Sequence, residues 1–241
     1  MLAQTRHYGF EGRNMISIYG GDSPNVIKAL IGMEELGIAY RREPLDIMAG
    51  EQFSPEFLAI SPNNRIPAIV DDDPADGGEP LSVFESGAIL LYLAEKGGAL
   101  VPASVRARSA AHAWLMWQMS GQGPMLGQAG HFLNYAPERL PYAIARFSRE
   151  VARLYRVLDT ALAHRDFLAG EYSVADIACW PWLLFRAHHV TALSDYPNVA
   201  RWFAAIGARP AVRRVMADIT VDPPQDFDEE TRRILFNTGG R

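Results

Sequence analysis

Three short segments carry residue types able to handle a small polar ligand. In the first, Ser23-Pro24-Asn25 follows Gly20-Gly21-Asp22 and opens an apolar stretch with helical spacing. Serine is a favoured N-cap and proline suits the first helical position, so a helix begins here. Its end presents unpaired N–H groups and partial positive charge, which stabilise an exposed anion by about 0.3–1 kcal/mol and a partly buried one by more. The Ser23 hydroxyl and the Asn25 amide add directed donors. Lowering a thiol pKa of about 8.5 by two units needs roughly 2.7 kcal/mol of preference for the charged form, which is within reach of such a group. Taken alone, the segment is explained more economically by a serine that merely caps its helix and an asparagine on the surface.

The second segment is Ile66-Pro67, where a proline stands at the head of an otherwise clean strand pattern. An edge strand tolerates it, and so does a cis bond at a turn, which would expose the backbone N–H and C=O of Ile66 to a ligand. The third is Glu85-Ser86, which opens another helix. A carboxylate and a hydroxyl there can hold a ligand ammonium and carboxylate, or the glutamate can simply complement the helix dipole.

The elements that must position these segments follow from periodicity. Ile16 to Tyr19 alternates as a strand, the helix from Pro24 runs to a stop at Gly37, and Ile38 to Asp46 reads as a second strand. Ile66 to Val70 and Leu81 to Phe84 form a hairpin across the turn residues 71–80, and the helix from Glu85-Ser86 ends at Gly97-Gly98. The order β-α-β then β-β-α predicts a thioredoxin-like α/β domain over 15–97. After a linker at Val101-Pro102, strand signals disappear, predicting an all-α domain over 104–217. Within it Leu140, Ile144, Phe147, Val151, Leu154, Leu158 and Leu162 recur at steps of three and four, marking one buried face. Ser173 and Asp176 have capping-box spacing, and the bulky run Ile177 to Phe185 reads as a core helix. Residues 1–14 read as an extension, expected to be disordered, and 218–241 as a charged tail, poorly packed or draped on the surface.

Composition narrows the function. The chain of 241 residues has 49% hydrophobic and 21% charged residues with a net charge of −5, an ordinary globular balance with no basic excess for nucleic acid. No stretch reads as a membrane span, and 1–14 carries no apolar core of a secretory signal, so a cytoplasmic location is expected. The single cysteine, Cys179, excludes an intramolecular disulfide and a Cys-x-x-Cys redox pair. It lies in an apolar run beside Trp180 and is expected to be an inert core residue. Any thiol chemistry then needs a borrowed thiol. His112, His131, His188 and His189 lack carboxylate or cysteine at ligand spacing, so no metal is expected. Trp114, Trp117 and Met125 read as helix core, the alternative being that residues 114–131 line a cleft against the first domain.

Ser23-Pro24-Asn25, the run Ser61 to Ile69, Phe84 to Leu93 and Ser173 to Asp176 stand in the order and spacing of cytosolic glutathione transferases, and the match extends over about residues 15–217. The loop Pro74 to Pro80, Gly123 to Gln128, Pro141 to Ile144 and Ala175 to Trp182 resemble more narrowly the nu-class bacterial enzymes, glutathione-dependent disulfide-bond oxidoreductases similar to the yeast nitrogen-regulating prion protein. The resemblance implies a homodimer that binds reduced or oxidised glutathione. It implies a cis peptide at Ile66-Pro67 with Ile66 pairing to the cysteinyl backbone, Glu85 and Ser86 at the γ-glutamyl end, and Gln52 and Arg65 on the glycyl side. It further places Arg146 by a second glutathione or disulfide substrate, and Ser23 and Asn25 facing the sulfur as catalytic residues. Ser23 stands where the class more often has threonine, and Arg65 where lysine is more familiar; each keeps the donor or the charge. Disulfide reduction is the activity implied. Conjugation to electrophiles, peroxide reduction and non-catalytic glutathione binding remain as alternatives at this point.

Overall fold

A computed structural model describes residues 15–236; the extension expected over 1–14 lies outside the described residues. Strand β1 (Ile16–Tyr19), helix α1 (Pro24–Leu36) and strand β2 (Tyr40–Glu43) make the β-α-β unit, with β1 and β2 parallel and Ile16 opposite Tyr40. Helix α1 obeys its local signals. Ser23 caps it by accepting the Val26 N–H, and Gly37 ends it at φ 65°, donating its N–H to the Met33 carbonyl.

Strands β3 (Ala68–Asp71) and β4 (Leu81–Phe84) form the antiparallel hairpin, and β3 also pairs antiparallel with β1, giving the sheet order β2-β1-β3-β4. Two strands start later than their apolar patterns suggest. The pairing of β2 is limited to the four residues that β1 offers, and β3 begins at Ala68 because Pro67 has no N–H to give a ladder. A short helix α2 (Pro55–Ile60), capped by Ser54, lies between β2 and β3 and was not marked by periodicity. Helix α3 (Ser86–Gly97) follows β4 and packs on α1.

The second domain is helical. α4 (Val105–Trp117), a π-turn (Gln118–Gln122), α5 (Gly123–Gly130) and a second π-turn (His131–Tyr135) run on without a break. Pro124 lacks an N–H for an α-helical bond, which accords with a widened turn just before it. α6 (Pro141–Leu162) buries Val151, Leu154, Leu158 and Leu162 as its stripe predicts, but Leu140 at its start is 44% exposed. The periodicity identified a face whose packing begins at Phe147, which stacks on Phe132, and leaves Leu140 outside. α7 (Val174–Leu184) opens on the full capping box: Asp176 accepts the N–H of Ser173 and of Leu168, the Ser173 hydroxyl and the Trp202 indole N–H. α8 (Pro197–Gly207) and α9 (Pro210–Met216) complete the bundle.

Helix α1 joins the domains by packing on α3 on one side and on α7 and α9 on the other. Arg209 forks onto both oxygens of Glu35 at 2.6 and 2.9 Å and lies over the Tyr172 ring, a bidentate pair clamped by an aromatic face. Of the charged tail, the described part, up to Phe236, lies against the fold. Thr220 donates its N–H to Asp22, His188 bonds the Asp222 carbonyl, and the terminal helix α10 (Glu229–Phe236) sets Phe236 against His131 and Tyr135.

Candidate active site

A cavity of about 490 Å³ opens where the N-terminal end of α1, the head of β3 and the start of α3 face the π-turn and α5. That volume is in the range of small-molecule sites, about 300–1,000 Å³. Its wall brings together Asn25, Arg65, Ile66, Pro67, Glu85 and Ser86. The Ile66-Pro67 peptide is cis.

Local geometry explains how each comes there. Gly20, at φ 146°, allows the end of β1 to pass within touching distance of Ile66: a Cβ at Gly20 would stand 3.2 Å from the Ile66 Cβ and 2.7 Å from Val26. The Ser61 hydroxyl donates to the Arg65 carbonyl at 2.9 Å and holds the turn before Ile66. Glu85 has φ 70° and ψ 116°, a conformation that side-chain-bearing residues rarely adopt, and its exposed carboxylate accepts from the Asn63 amide at 3.4 Å. Strain of this kind costs about 1–3 kcal/mol and is characteristic of functional positions. Ser86 follows as the first residue of α3, buried, with the free N–H groups of that helix around it.

Ser23, Gln52 and Arg146 are not in that wall. The Ser23 hydroxyl oxygen takes the Val26 N–H at 3.3 Å, which leaves its own O–H free to donate. Gln52 is 3% exposed, and its side-chain carbonyl has no partner among the described residues. Arg146 projects from α6 about half exposed, with Glu150 4.0 Å away.

The cavity also holds residues not named one by one as site candidates in the sequence. From the helical domain come Gln118, Met119 and Trp182; from α1 comes Lys28. Gln118, Met119, Gly123, Pro124, Gly127 and Gln128 all line it, so part of the 114–131 segment does face the cleft, while Trp114, Trp117 and Met125 pack against the core. Trp182 donates its indole N–H to Asn25 Oδ1 at 3.2 Å. Lys28 Nζ donates to Gln118 Oε1 at 2.6 Å and to Ser86 Oγ at 3.1 Å. Burial draws the Lys28 ammonium down to about 7. The available signal was a single charge inside the otherwise uncharged run Val26 to Met33.

Other candidates fall outside the cavity. Cys179 is fully buried, and burial pushes its thiol well above the usual range. His188 and His189 turn to separate partners, Tyr135 and Tyr155. Among the described residues no three His, Cys, Asp or Glu could hold a metal ion.

A β-α-β/β-β-α sheet with a cis-proline at the cavity wall, joined to an all-α domain, defines a thioredoxin-fold protein of the two-domain, ligand-binding kind. The chain belongs to the glutathione S-transferase family: its residues 16–95 match the glutathione S-transferase N-terminal domain and 141–205 the C-terminal domain. It is 51% identical over 203 residues to the disulfide-bond oxidoreductase YfcG of Escherichia coli, a match covering 84% of this chain and 94% of that one. Among solved structures it is similar to a glutathione transferase from Burkholderia graminis with two glutathione molecules bound per subunit, at TM-score 0.80 and 40% identity over 87% of this chain and 90% of that one. A Pseudomonas putida glutathione transferase with one glutathione disulfide bound per subunit gives TM-score 0.81 and 38% identity, covering 88% and 94%.

Proposed function

We propose that this protein is a glutathione-dependent thiol-disulfide oxidoreductase whose reactive sulfur comes from bound glutathione. The observation that carries this reading is the cavity itself: anion-stabilising donors at the N-terminal ends of α1 and α3 flank a cis-proline, and the chain's own thiol is buried elsewhere. The names of the relatives support the same chemistry.

The residues on the cavity wall fit the tripeptide, and Ser23, Gln52 and Arg146, which lie off that wall, take their roles from the family resemblance. Glu85 supplies an anion for the γ-glutamyl ammonium, and Ser86 with the α3 amides supplies donors for its carboxylate. Ile66 offers backbone groups to the cysteinyl residue, Arg65 a guanidinium for the glycyl carboxylate with Gln52 on the same side, and Arg146 a charge for a second glutathione or disulfide. Ser23 and Asn25 donate to the sulfur and favour thiolate over thiol. When bound, glutathione supplies the exchange chemistry: its thiolate would form an S–S bond to one sulfur of the substrate while the other sulfur leaves and takes up a proton, and a second glutathione would then displace the sulfur still held in the mixed disulfide as the second thiol product, leaving oxidised glutathione. The two electrons gained by the substrate come from the two glutathiones.

The domain limits that accompany this reading are 15–97 for the glutathione-binding unit, 104–217 for the helical unit and 218–241 for the tail. The working form is a cytoplasmic homodimer whose subunits meet at Phe84 and the helix beginning at Glu85. Phe84 stands 38% exposed there. Light scattering of a Phe84→Glu variant tests the pairing; a wild-type monomer would refute it.

The deciding experiment supplies glutathione with a model mixed disulfide and, in parallel, with an aryl halide. Faster glutathione consumption by the disulfide, with oxidised glutathione as product, is expected. Turnover of the halide alone would reassign the activity to conjugation.

A further inference from the structure

Lys28 is 1% exposed, and its ammonium rests on neutral acceptors: Gln118 Oε1, Ser86 Oγ and, at 3.6 Å, Met119 Sδ. Among the described residues no carboxylate stands within ion-pair distance of it. A buried cation without a counter-ion is costly and is retained where something else offsets the charge. The missing anion has a place, since Ser86 opens α3 on the wall of the cavity and Lys28, in the same lining, donates to it.

We infer that Lys28 is a positioning and charge-balancing residue for the α-carboxylate of a γ-glutamyl ligand at the start of α3. This rests on the glutathione reading. A serine hydroxyl that accepts from an ammonium has its proton left to donate elsewhere. Here the proton faces Met119 Sδ at 3.5 Å, a weak acceptor that a carboxylate outcompetes. Lys28 therefore sets Ser86 as a donor toward the ligand, and its charge neutralises the carboxylate that arrives. Gln118 ties this device to the second domain, because its side-chain carbonyl accepts from Lys28 while its amide has no partner among the described residues.

The consequence is coupled protonation. With Lys28 drawn down to about 7 by burial, a carboxylate placed beside Ser86 raises it again, so binding above pH 7 takes up a proton. The groups facing Lys28 do not supply this effect. Glu85 at the α3 cap is the one carboxylate acting on it; Cys179 on α7 is held neutral, with Asp176 a turn further along; Gln118 and Met119 are uncharged. Arg209 and Arg214, at the cap and in the body of α9, are engaged by Glu35 and Glu34 at the other end of α1.

The test is calorimetric titration of the full-length protein with S-methylglutathione, which has no thiol to titrate, at pH 7.5 in two buffers of different ionisation enthalpy. The wild type should take up a fraction of a proton per ligand. Lys28→Met should lose that uptake and bind about tenfold or more weakly. Lys28→Arg, permanently charged, should keep the affinity and lose the uptake, a result that a purely structural lysine would not give. Wild-type binding without proton uptake, or equal uptake in Lys28→Arg, overturns the role of Lys28 and leaves the glutathione reading standing. Absence of S-methylglutathione binding by the wild type would sink both.

Discussion

Trp182 of the helical domain hands its indole N–H to Asn25 Oδ1 of the thioredoxin-like domain at 3.2 Å, across 157 positions of sequence. An indole N–H can only donate, so the oxygen of Asn25 must face it and the amide NH2 is turned the other way. The second domain thus decides which end of Asn25 the cavity receives.

Trp182→Phe should release that orientation while keeping most of the ring packing. With a donor lost to the thiolate about half the time or more, turnover of a mixed disulfide should fall by about twofold or more with a smaller change in the KM for glutathione. Steady-state kinetics with glutathione varied at saturating disulfide separates the two parameters. A rise in KM at constant kcat would mean that Asn25 binds rather than activates.

Ser23 has two roles that substitution can separate. Its oxygen caps α1 through the Val26 N–H, and its proton is free for the sulfur. Ser23→Ala removes both, lowering stability by about 0.5–2 kcal/mol, whereas a glycine cap costs only a few tenths. Ser23→Gly should therefore remain nearly as stable as wild type in urea unfolding and still lose about tenfold or more in kcat. Full activity in Ser23→Gly would reduce Ser23 to a helix cap.

At Glu85 stability and function should move in opposite directions. The residue is held at φ 70° and ψ 116°, where glycine fits more readily than glutamate. Relief of strain, set against the greater chain freedom of glycine when unfolded, should leave Glu85→Gly about 0.5–1 kcal/mol more stable. Loss of the carboxylate should weaken glutathione binding by about tenfold or more. Thermal unfolding and a glutathione titration of the same preparation check both; a variant both less stable and fully binding would contradict the assignment.

What could be read along the chain was whatever the chain decides locally. Ser23, Pro24 and Gly37 bracket α1 by their own preferences, and Ser173 with Asp176 forms its capping box within three residues. Asn25, Ile66, Pro67, Glu85 and Ser86 could be proposed because each sits in such a local segment, and Arg65 because of the family resemblance. Lys28 and Trp182 could not, since what they do is defined by partners 58, 90 and 157 positions away, and Gln118 was legible only as part of the 114–131 segment. Leu140 illustrates the reverse case: an apolar face was legible, but not whether another helix would come to cover all of it.

Asp176 is the structural counterpart of these functional positions. Its buried carboxylate collects donors from Leu168, Ser173 and Trp202, joining the 168–173 loop, α7 and α8. Asp176→Ala leaves those buried N–H groups without an acceptor and should cost about 3–5 kcal/mol, measured as a shift of the urea midpoint. A loss below about 1 kcal/mol would mean that the loop and α8 find other partners.

The borrowed-thiol mechanism makes its sharpest demand on Cys179. The thiol is fully enclosed, burial holds it protonated, and the nearby Asp176 pushes in the same direction. Cys179→Ala should therefore keep kcat and KM within about twofold while losing roughly 1 kcal/mol of stability to the small void it leaves. The native wild-type protein should also resist alkylation by iodoacetamide and react only once unfolded. If Cys179→Ala folded but no longer turned over disulfide, the reactive sulfur would belong to the chain, and the donors around Asn25 and Ser23 would need another purpose.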